Sequence, residues 1–446
     1  MPEQNLIDQL NASGAEQRLA ALRRLKSLRD AGDLPVSVRG RDVNNHIHTT
    51  YSFSPYSPTK AVWMADRAGL VTAGIMDHDS ISGAREFIEA GAVLGLPTTI
   101  GAECRASFAD TQLAGRRINN PDQDGVAYVA LHGVPHSRID ALTAFFQPVR
   151  RARDRRNRLM VERLNGLLSP LNMAIDYEGD VIPLSEWENG GAITERHLLY
   201  ALALKLDARC DDKSDLPVLL RHKLAVPVSD QDEERLIDGH NPFRAFDLLG
   251  VLKRHLVEKF YLEATEECLP IAEVADFARG NGIILAYAYL GDVTASVTGD
   301  KKAQTFEDRY LDELFDVLRE IGFAAVTYMP SRNTREQLIR LRENCERHAF
   351  FQISGEDINQ PRQPFVCQAM RDPLFANLYD AAWALIGHEQ LAGKSLDNGM
   401  FSAKTQRRQP DLNHRIRYYR DAAREIFGNH DPVRHDKTKG GGNPDA

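Results

Sequence analysis

Short apolar runs alternate with helix-like segments in two stretches of this 446-residue chain, and this alternation restricts the fold more than any other feature. The strand-like runs are residues 44–48, 71–76, 98–103, 126–132, 283–289, 323–328 and 349–353. The helix-like segments between them are residues 60–68, 84–94, 271–279, 306–321 and 335–347. Repeated strand–helix units predict a mostly parallel sheet with helices outside it, either wound open or closed into a barrel.

The remaining segments divide the chain into regions. Residues 1–33 look like a helix whose leucines recur at helical spacing, so residues 1–40 are predicted to form an N-terminal helical extension. The strand signal fades over residues 138–270, where helices dominate. We therefore expect a barrel in two parts, with a helical insertion subdomain between them and a disordered tail after them. The boundaries are 41–137 and 271–429 for the barrel, 138–270 for the insertion and 430–446 for the tail.

Charge and cysteine content exclude several classes of protein. The formal net charge is −8, which argues against a protein that coats nucleic acid, and the five cysteines are far apart without a C-x-x-C pair. An odd number of separated thiols argues against a disulfide framework and against a zinc ribbon. The N-terminus has no signal-peptide pattern, and the most apolar run is too short to cross a bilayer. We expect a cytoplasmic protein without a membrane or stable nucleic-acid partner, and the sequence leaves its oligomeric state open.

Histidine and acidic residues stand where four of the predicted strands end. His46 and His48 are two residues apart on a strand, so their imidazoles share one face and can reach one metal ion. The sequence Asp77-His78-Asp79 follows a buried strand, where barrel enzymes place catalytic groups. A plainer interpretation is that Asp79 or Ser80 caps the next helix.

Glu103 and His132 end the next two predicted strands. Each position alone is a weak signal, since a histidine on a strand is often only a hydrogen-bonded core residue. If the strands are parallel, their ends meet at one rim, where a site for divalent metal ions needs its ligands. The joint pattern therefore predicts a metal site at the mouth of an α/β barrel.

Four motifs in order resemble those of the PHP (polymerase and histidinol phosphatase) domain, most closely the stand-alone PHP phosphoesterases. They are HIHTT at 46–50, GLVTAGIMDHDSISG at 69–83, LPTTIGAE at 96–103 and ALHG at 130–133. The resemblance covers about residues 43–360. It implies a distorted (β/α)7 TIM-like barrel with a helical insertion. It also implies hydrolysis of phosphate esters by a metal-bound hydroxide, with up to three ions, often manganese, zinc or iron.

The resemblance also implies a set of metal ligands, from which this sequence departs at three positions. The implied ligands are His46, His48, His78, Glu103, His132 and Asp357, with Asn359 at the last position of the family's D-x-H motif. The departures are Phe53 in place of an aspartate, Tyr287 in place of a histidine, and Asn359 itself. An amide oxygen suits Mg²⁺ or Mn²⁺ better than zinc, and a neutral phenol is a poor ligand. We therefore expect one or two ions, at most three, with Glu356 or Asp292 as alternative carboxylates.

Cationic side chains are candidates for holding a phosphate group. Those expected to bind the substrate are Arg196, Lys301, Arg332 and Arg362. Residues 150–158 contain six arginines, which form either a solvated helix face or a cationic lid over the site. Asp77, Asp79 and His132 are candidates for carrying protons. His197 follows a candidate cap residue, Thr194, and Thr334 is a second candidate cap, so both have plain structural interpretations.

These residues support a metal-dependent phosphoric ester hydrolase that acts on a small phosphorylated molecule. The alternative is a non-catalytic or regulatory protein that binds metal or ligand at a degenerate site, which the three departures motivate. A third hypothesis, a hydrolase of carbon–nitrogen or other bonds, would use the same residues. The identities of substrate and metal do not follow from the sequence.

Overall fold

Eight strands form one sheet in the part of the chain that the structure, a computed structural model, describes: residues 3–293 and 305–428. The strands are β1 (Val43–Ile47), β2 (Thr72–His78), β3 (Thr98–Ser107), β4 (Val126–His132), β5 (Leu269–Pro270), β6 (Ile284–Ala288), β7 (Ala325–Tyr328) and β8 (Phe351–Ser354). The predicted tail at 430–446 and the candidate Lys301 lie outside the described residues. All seven predicted strand-like runs are confirmed as strands, with shifts of a few residues at their ends.

Helices connect and cover these strands. The α-helices of the described ranges are α1 (Glu3–Gln9), α2 (Ala15–Asp30), α3 (Pro58–Arg67), α4 (Ala84–Leu94), α5 (Ile139–Leu168), α6 (Glu195–Arg209), α7 (Asp215–Lys223), α8 (Asp230–Ile237), α9 (Arg244–Phe260), α10 (Ile271–Gly280), α11 (Leu311–Ile321), α12 (Arg335–Arg347), α13 (Ala376–Lys394), α14 (Ala403–Arg408) and α15 (Leu412–Phe427). The single helix expected over residues 1–33 is wrong, because α1 and α2 are separate and Gly14 precedes α2. The buried leucines of α2 nevertheless follow the predicted helical spacing.

The sheet curls into a nearly closed barrel. Seven strands follow one another in the order β1-β2-β3-β4-β6-β7-β8, and β5 pairs with β3 outside this path. Ile47 forms a parallel bridge with Ile358, just after β8. The backbone N–H of His48 donates to the Ile358 carbonyl over 3.0 Å, and the Ile358 N–H donates to the His46 carbonyl over 3.1 Å. The predicted α/β barrel is confirmed, and its two ends join beside the first pair of candidate ligands.

One strand runs against the others. β4 is antiparallel to both β3 and β6, whereas β1–β2, β2–β3, β6–β7 and β7–β8 pair in parallel. The expectation that His132 reaches the common rim as the end of a parallel strand is therefore wrong. Ala130 faces Glu103 in the β3–β4 register, and His132 shares the inward face of Ala130 because side chains alternate along a strand. His132 therefore enters the barrel interior from the end at which the parallel strands begin, where it pairs with Ile284.

The barrel interior is packed with small and apolar side chains, and α13 closes one end of it. Ala130, Ala286 and Ala325 lie side by side on successive strands. They share a buried cluster with Ala384 and Leu385 of α13. Glu389, also on α13, accepts a hydrogen bond from the backbone N–H of Ile100 over 2.9 Å, near the start of β3. The other end, where the parallel strands finish, remains open for a site.

Helices α5 to α9 pack around an apolar core that is separate from the barrel core. Leu164, Leu198, Leu202 and Leu252 are fully buried there. These helices follow β4 in the chain, and α9 ends shortly before β5. The chain therefore leaves the barrel after β4 and returns to it at β5. Within residues 3–293 and 305–428, no helix has the length and apolar character needed to cross a membrane.

Candidate metal centre

Three imidazoles surround one carboxylate oxygen at the open end of the barrel. Glu103 Oε1 lies 3.6 Å from His46 Nε2, 3.4 Å from His48 Nε2 and 3.1 Å from His78 Nδ1. Tetrahedral ligands that are each about 2.1 Å from an ion lie about 3.4 Å from one another. Each of these three imidazole–carboxylate distances is therefore close to the spacing of two ligands around one divalent cation.

The loop after β1 is fixed by a buried carboxylate. Asp77 accepts hydrogen bonds from the Thr49 backbone N–H, the Thr49 hydroxyl and the Ser52 hydroxyl, at 2.7, 2.6 and 2.7 Å. Ser52 Oγ in turn lies 3.2 Å from His48 Nδ1. The other ring nitrogen, Nε2, therefore faces the site. Histidine ligands in metal sites are commonly oriented in this way through their second nitrogen. Asp77 is thus placed to position His48.

The residue that follows His78, just after the end of β2, has a strained backbone. Asp79 has φ +52°, a left-handed conformation that few residues other than glycine, asparagine and aspartate adopt. Its N–H donates to the Glu103 carbonyl over 2.8 Å, and its carboxylate pairs with Arg153. The helix-cap interpretation is wrong: Gly83 occupies the N-cap of α4, and the Ser80 hydroxyl donates to the Gly190 carbonyl.

Two residues after β8 complete one side of the site. Asp357 Oδ1 lies 3.1 Å from His48 Nε2 and accepts a hydrogen bond of 2.7 Å from Asn359 Nδ2. The other amide atom, Asn359 Oδ1, is buried and has no hydrogen-bond partner among the residues that the structure describes. The backbone bonds of Ile358 to β1 hold both side chains against His48.

Buried nitrogen atoms without partners indicate that these residues fit a metal ion. His46 Nε2 and His132 Nε2 are buried and have no hydrogen-bond partner among the described atoms. The donor atoms of His46, His48 and Glu103 all lie within 4.8 Å of one another. A buried polar atom without a partner costs free energy, which a coordinated cation would recover. Imidazole nitrogen and carboxylate oxygen are suitable ligands for Zn²⁺, Fe²⁺ or Mn²⁺.

The electrostatics favour the ligand form of most of these groups. Burial lowers the pKa of His78 to about 3, and burial together with the neighbouring His46 lowers the pKa of His132 to about 3. Burial opposes ionisation of Glu103, but the charges of His78 and His46 outweigh it and bring its pKa to about 2. Neutral imidazoles and an ionised carboxylate at neutral pH are the states that bind metal. His48 differs: burial lowers its pKa, but Asp357 and Glu103 raise it more.

A cavity of about 170 Å³ opens beside the candidate metal ligands. His46, His78, Glu103 and Asp357 form one part of its wall, and Arg196, Lys253 and Arg332 contribute cationic side chains to another. Apolar contacts come from side chains such as Tyr128, Leu290 and Met329. Asp77, Asp79 and His132 do not line this cavity, since all three are buried behind it.

Two predicted substrate-binding cations are found at the cavity and one is not. Arg196 and Arg332 line it, whereas Arg362 pairs with Asp247 over 2.9 Å and lines a neighbouring cavity of about 400 Å³. Lys253 was missed, because nothing in the sequence separates it from the other charged residues of α9. Its position becomes visible only when the helices of the insertion are packed over the barrel.

The three departures from the family pattern have different structural outcomes. Phe53 packs against the helices after β4, with its ring 5.0 Å from that of His197 in an edge contact. Tyr287 points away from the barrel interior and belongs to the outer core, so its assignment as an altered ligand position is wrong. The neighbouring Ala288 lines the cavity instead. Asn359 alone of the three faces the cavity.

The alternative carboxylates and the cap residues are also placed. Asp292 accepts a hydrogen bond from the Phe306 N–H over 2.6 Å, which gives it a loop-fixing role. Glu356 lines the cavity and accepts a bond of 2.5 Å from the Ser331 hydroxyl. The structural interpretations of His197 and Thr334 are confirmed, since each belongs to a capping box, at the start of α6 and of α12.

Comparison with known proteins gives likenesses of fold. No family model matches the sequence, and no curated protein sequence matches it. A candidate metal-dependent phosphoesterase from Bifidobacterium adolescentis is 20% identical with a TM-score of 0.48, over 78% of this chain and 98% of that one. An amidohydrolase from Chromobacterium violaceum, solved with sulfate and without metal, is 16% identical with a TM-score of 0.47, over 73% of this chain and 90% of that one. Similarity at this level is too distant to carry an argument about activity.

Proposed function

We propose that this protein is a metal-dependent hydrolase of small phosphate esters. The observation that carries the proposal is the convergence of His46, His48 and His78 on one oxygen of Glu103, beside a cavity with cationic side chains. Neither the metal ligands nor a phosphate-binding role follows from the distant structural likenesses. The support comes from the donor geometry, the unpartnered buried nitrogens and the three cationic side chains that lie among acidic ones on the cavity wall.

In this proposal His46, His48, His78 and Glu103 hold a divalent ion, with His132 and Asp357 as further ligands. A bound divalent ion lowers the pKa of a coordinated water and polarises a phosphoryl oxygen. We favour one or two ions, at most three, chosen from Mn, Zn, Fe and Mg.

Arg196, Lys253 and Arg332 supply the positive charge that a phosphate group requires. Arginine can bind a phosphate with two parallel hydrogen bonds, and lysine acts as a point charge. Arg332 also donates to the Leu290 carbonyl over 3.1 Å, which fixes it at the cavity wall. These side chains would bind the substrate and offset charge that develops on it.

The structure changes the roles of the candidate proton carriers. Both oxygens of Asp77 accept hydrogen bonds, and the carboxylate of Asp79 is paired with Arg153, so neither is placed to exchange protons with a substrate. We assign them positioning roles. His132 lies behind the cavity and is better suited to ligation than to proton transfer.

The test begins with elemental analysis of the purified protein, followed by a screen of phosphate monoesters and diesters and of amide substrates with several metals. We expect bound divalent metal and turnover of a phosphate ester, and we expect His78→Ala to abolish both. His414→Ala provides a matched control, because His414 is exposed on α15. Full activity of the metal-loaded His78→Ala variant would contradict the mechanism. Turnover restricted to amides would instead favour hydrolysis of carbon–nitrogen bonds.

A second candidate function is non-catalytic binding at an altered site. The observation that favours it is Asn359, which places a neutral amide in the cavity where the family pattern has an imidazole. Stoichiometric metal without turnover of any phosphate ester would support this alternative.

A further inference from the structure

Five buried charged side chains form a network between the barrel and the helices that follow β4. We call this network the arginine clamp, and it consists of Asp79, Arg105, Arg153, Arg156 and Glu267. Each member is at most 7% exposed. The run of arginines at 150–158 therefore has a third role: neither a solvated face nor a lid describes Arg153 and Arg156.

Glu267 is the centre of the clamp. It accepts two hydrogen bonds from Arg156, at 2.8 and 2.7 Å, and lies 3.0 Å from Arg105 Nη2. Arg153 Nε lies 4.0 Å from the same carboxylate. Arg105 belongs to β3, whereas Arg153 and Arg156 belong to α5, so Glu267 joins the barrel wall to the long helix.

The clamp reaches the candidate metal ligands through Asp79. Arg153 pairs with the Asp79 carboxylate, and the Asp79 backbone N–H donates to the Glu103 carbonyl over 2.8 Å. Asp79 directly follows His78, and its left-handed backbone turns the chain at that point. On the neighbouring strand, Arg105 lies two residues after Glu103, on the same face. His78 is therefore adjacent in the chain to one anchored member of the clamp, and Glu103 is two residues from another.

We propose that Arg153 is a positioning residue of the metal centre, which fixes the turn that directly follows His78. This inference rests on the proposed function, because it requires that His78 binds metal. A strained left-handed residue persists only where its surroundings hold it, and the pair with Arg153 supplies that restraint. Buried ion pairs contribute little net stability compared with apolar residues of similar size, so a role in geometry explains this network better than stability does.

The test uses two variants that disturb the pair in different ways. Arg153→Met removes the guanidinium, while Asp79→Asn removes the charge but retains a residue that tolerates positive φ. Arg155→Met is the matched control, since Arg155 lies in the same run but is 61% exposed and pairs with Glu266. Mn²⁺ binding is measured by calorimetry at a temperature at which circular dichroism shows each variant folded. We expect about tenfold to hundredfold weaker Mn²⁺ binding for both variants and none of this loss for the control.

Further readouts separate positioning from general stability. Arg153→Lys should recover part of the Mn²⁺ affinity, because a lysine can still pair with Asp79. A purely structural role would lower the melting temperature of the metal-free variants without changing Mn²⁺ affinity, and this result would overturn the proposal. If Arg153→Met does not fold, Asp79→Asn decides, since it preserves side-chain size and backbone conformation.

The outcomes also separate this inference from the proposed function. Mn²⁺ binding by the wild type, unchanged in Asp79→Asn, contradicts the positioning role alone. Mn²⁺ binding that is weakened in the variants, without turnover of phosphate esters by the wild type, supports the positioning role and contradicts the hydrolase. A wild type that binds no divalent metal contradicts both.

Discussion

The two ends of the barrel both bury histidine beside glutamate, but they partner these groups differently. At the closed end, His388 Nε2 lies 2.9 Å from the Gly282 carbonyl, and His388 Nδ1 accepts a bond of 3.0 Å from the Met400 N–H. The adjacent Glu389 accepts hydrogen bonds from the Thr99 hydroxyl and from the Ile100 N–H. At the open end, three imidazoles crowd around Glu103, and the Nε2 atom of His46 has no hydrogen-bond partner among the described atoms.

This difference shows how a structural histidine can be told from a candidate ligand. At the closed end each ring nitrogen of His388 has a backbone partner, so this imidazole is complete without any ion. At the open end one ring nitrogen of each of three imidazoles faces the same carboxylate oxygen, an arrangement that is costly unless a cation is added. Burial alone does not distinguish the two, since both His48 and His388 are 1% exposed.

The largest expected effect comes from removing the carboxylate at each end. Glu103→Gln should weaken metal binding by at least about a hundredfold and remove activity. The reason is that this substitution removes the charged carboxylate around which the three imidazoles lie. Glu389→Gln should lower the free energy of unfolding by about 1–3 kcal/mol, because a buried hydrogen-bond network is disturbed, and should leave metal binding unchanged. Calorimetric titration with Mn²⁺ and denaturant unfolding measure the two effects. Loss of metal from the Glu389→Gln variant would remove the distinction between the ends.

An effect of comparable size is expected from pH on the metal-free protein. Burial lowers the pKa of His388 to about 4, below its ordinary value of 6.5. The unfolded chain therefore binds a proton between about pH 6.5 and pH 4 that the folded chain excludes, and stability falls as the pH drops through this range. The contribution of this one group is about 3 kcal/mol.

The variant His388→Gln isolates that contribution. Its free energy of unfolding should depend less steeply on pH between pH 6.5 and pH 4 than that of the wild type. The difference in slope should correspond to up to about one proton taken up on unfolding. The comparison is made by denaturant titration at several pH values with a chelator present. Equal slopes for the two proteins would show that His388 is not a neutral, buried imidazole.

The smallest expected effect is a gain at the open end. Asn359 faces the cavity with an unpartnered amide oxygen, so Asn359→His should add an imidazole ligand. We expect Zn²⁺ to bind about tenfold more tightly, equivalent to about 1.4 kcal/mol. Asn359→Gln controls for side-chain size, and competition with a zinc-sensitive dye measures both variants. Zn²⁺ affinity that stays unchanged or falls in Asn359→His would place the metal site elsewhere.

Much of the fold follows from local pattern. The strand-like runs and several helices, such as 84–94 and 335–347, are confirmed because apolar periodicity and helix signals are encoded in a few neighbouring residues. The direction of β4 was not predicted, because an antiparallel strand in a barrel has the same apolar alternation as a parallel one. The break between α1 and α2 was also missed, although Gly14 was a visible signal for it.

The candidate site shows the same limit. The sequence points to His46, His48, His78 and Glu103 because they stand at the ends of apolar runs, and the structure brings these four together. Whether a strand residue faces into or out of the barrel depends on the strand register, and a shift of one residue reverses it. The sequence-based assignment chose Tyr287, which faces outward, whereas the next residue, Ala288, faces the cavity. Lys253 and the clamp residue Glu267 lie in segments without a motif, and only tertiary packing shows where they point.

The join between Ile358 and the first strand has a consequence for the order in which the protein is made. The ribosome produces His46 and His48 before Asp357 and the backbone groups that close the ring against them, which lie about 310 positions further along the chain. A growing chain therefore carries the candidate ligands up to His132 before the groups that close the barrel exist. The proposed centre has its complete set of ligands, on which any selection among metals by size and geometry depends, only after residue 359 is made.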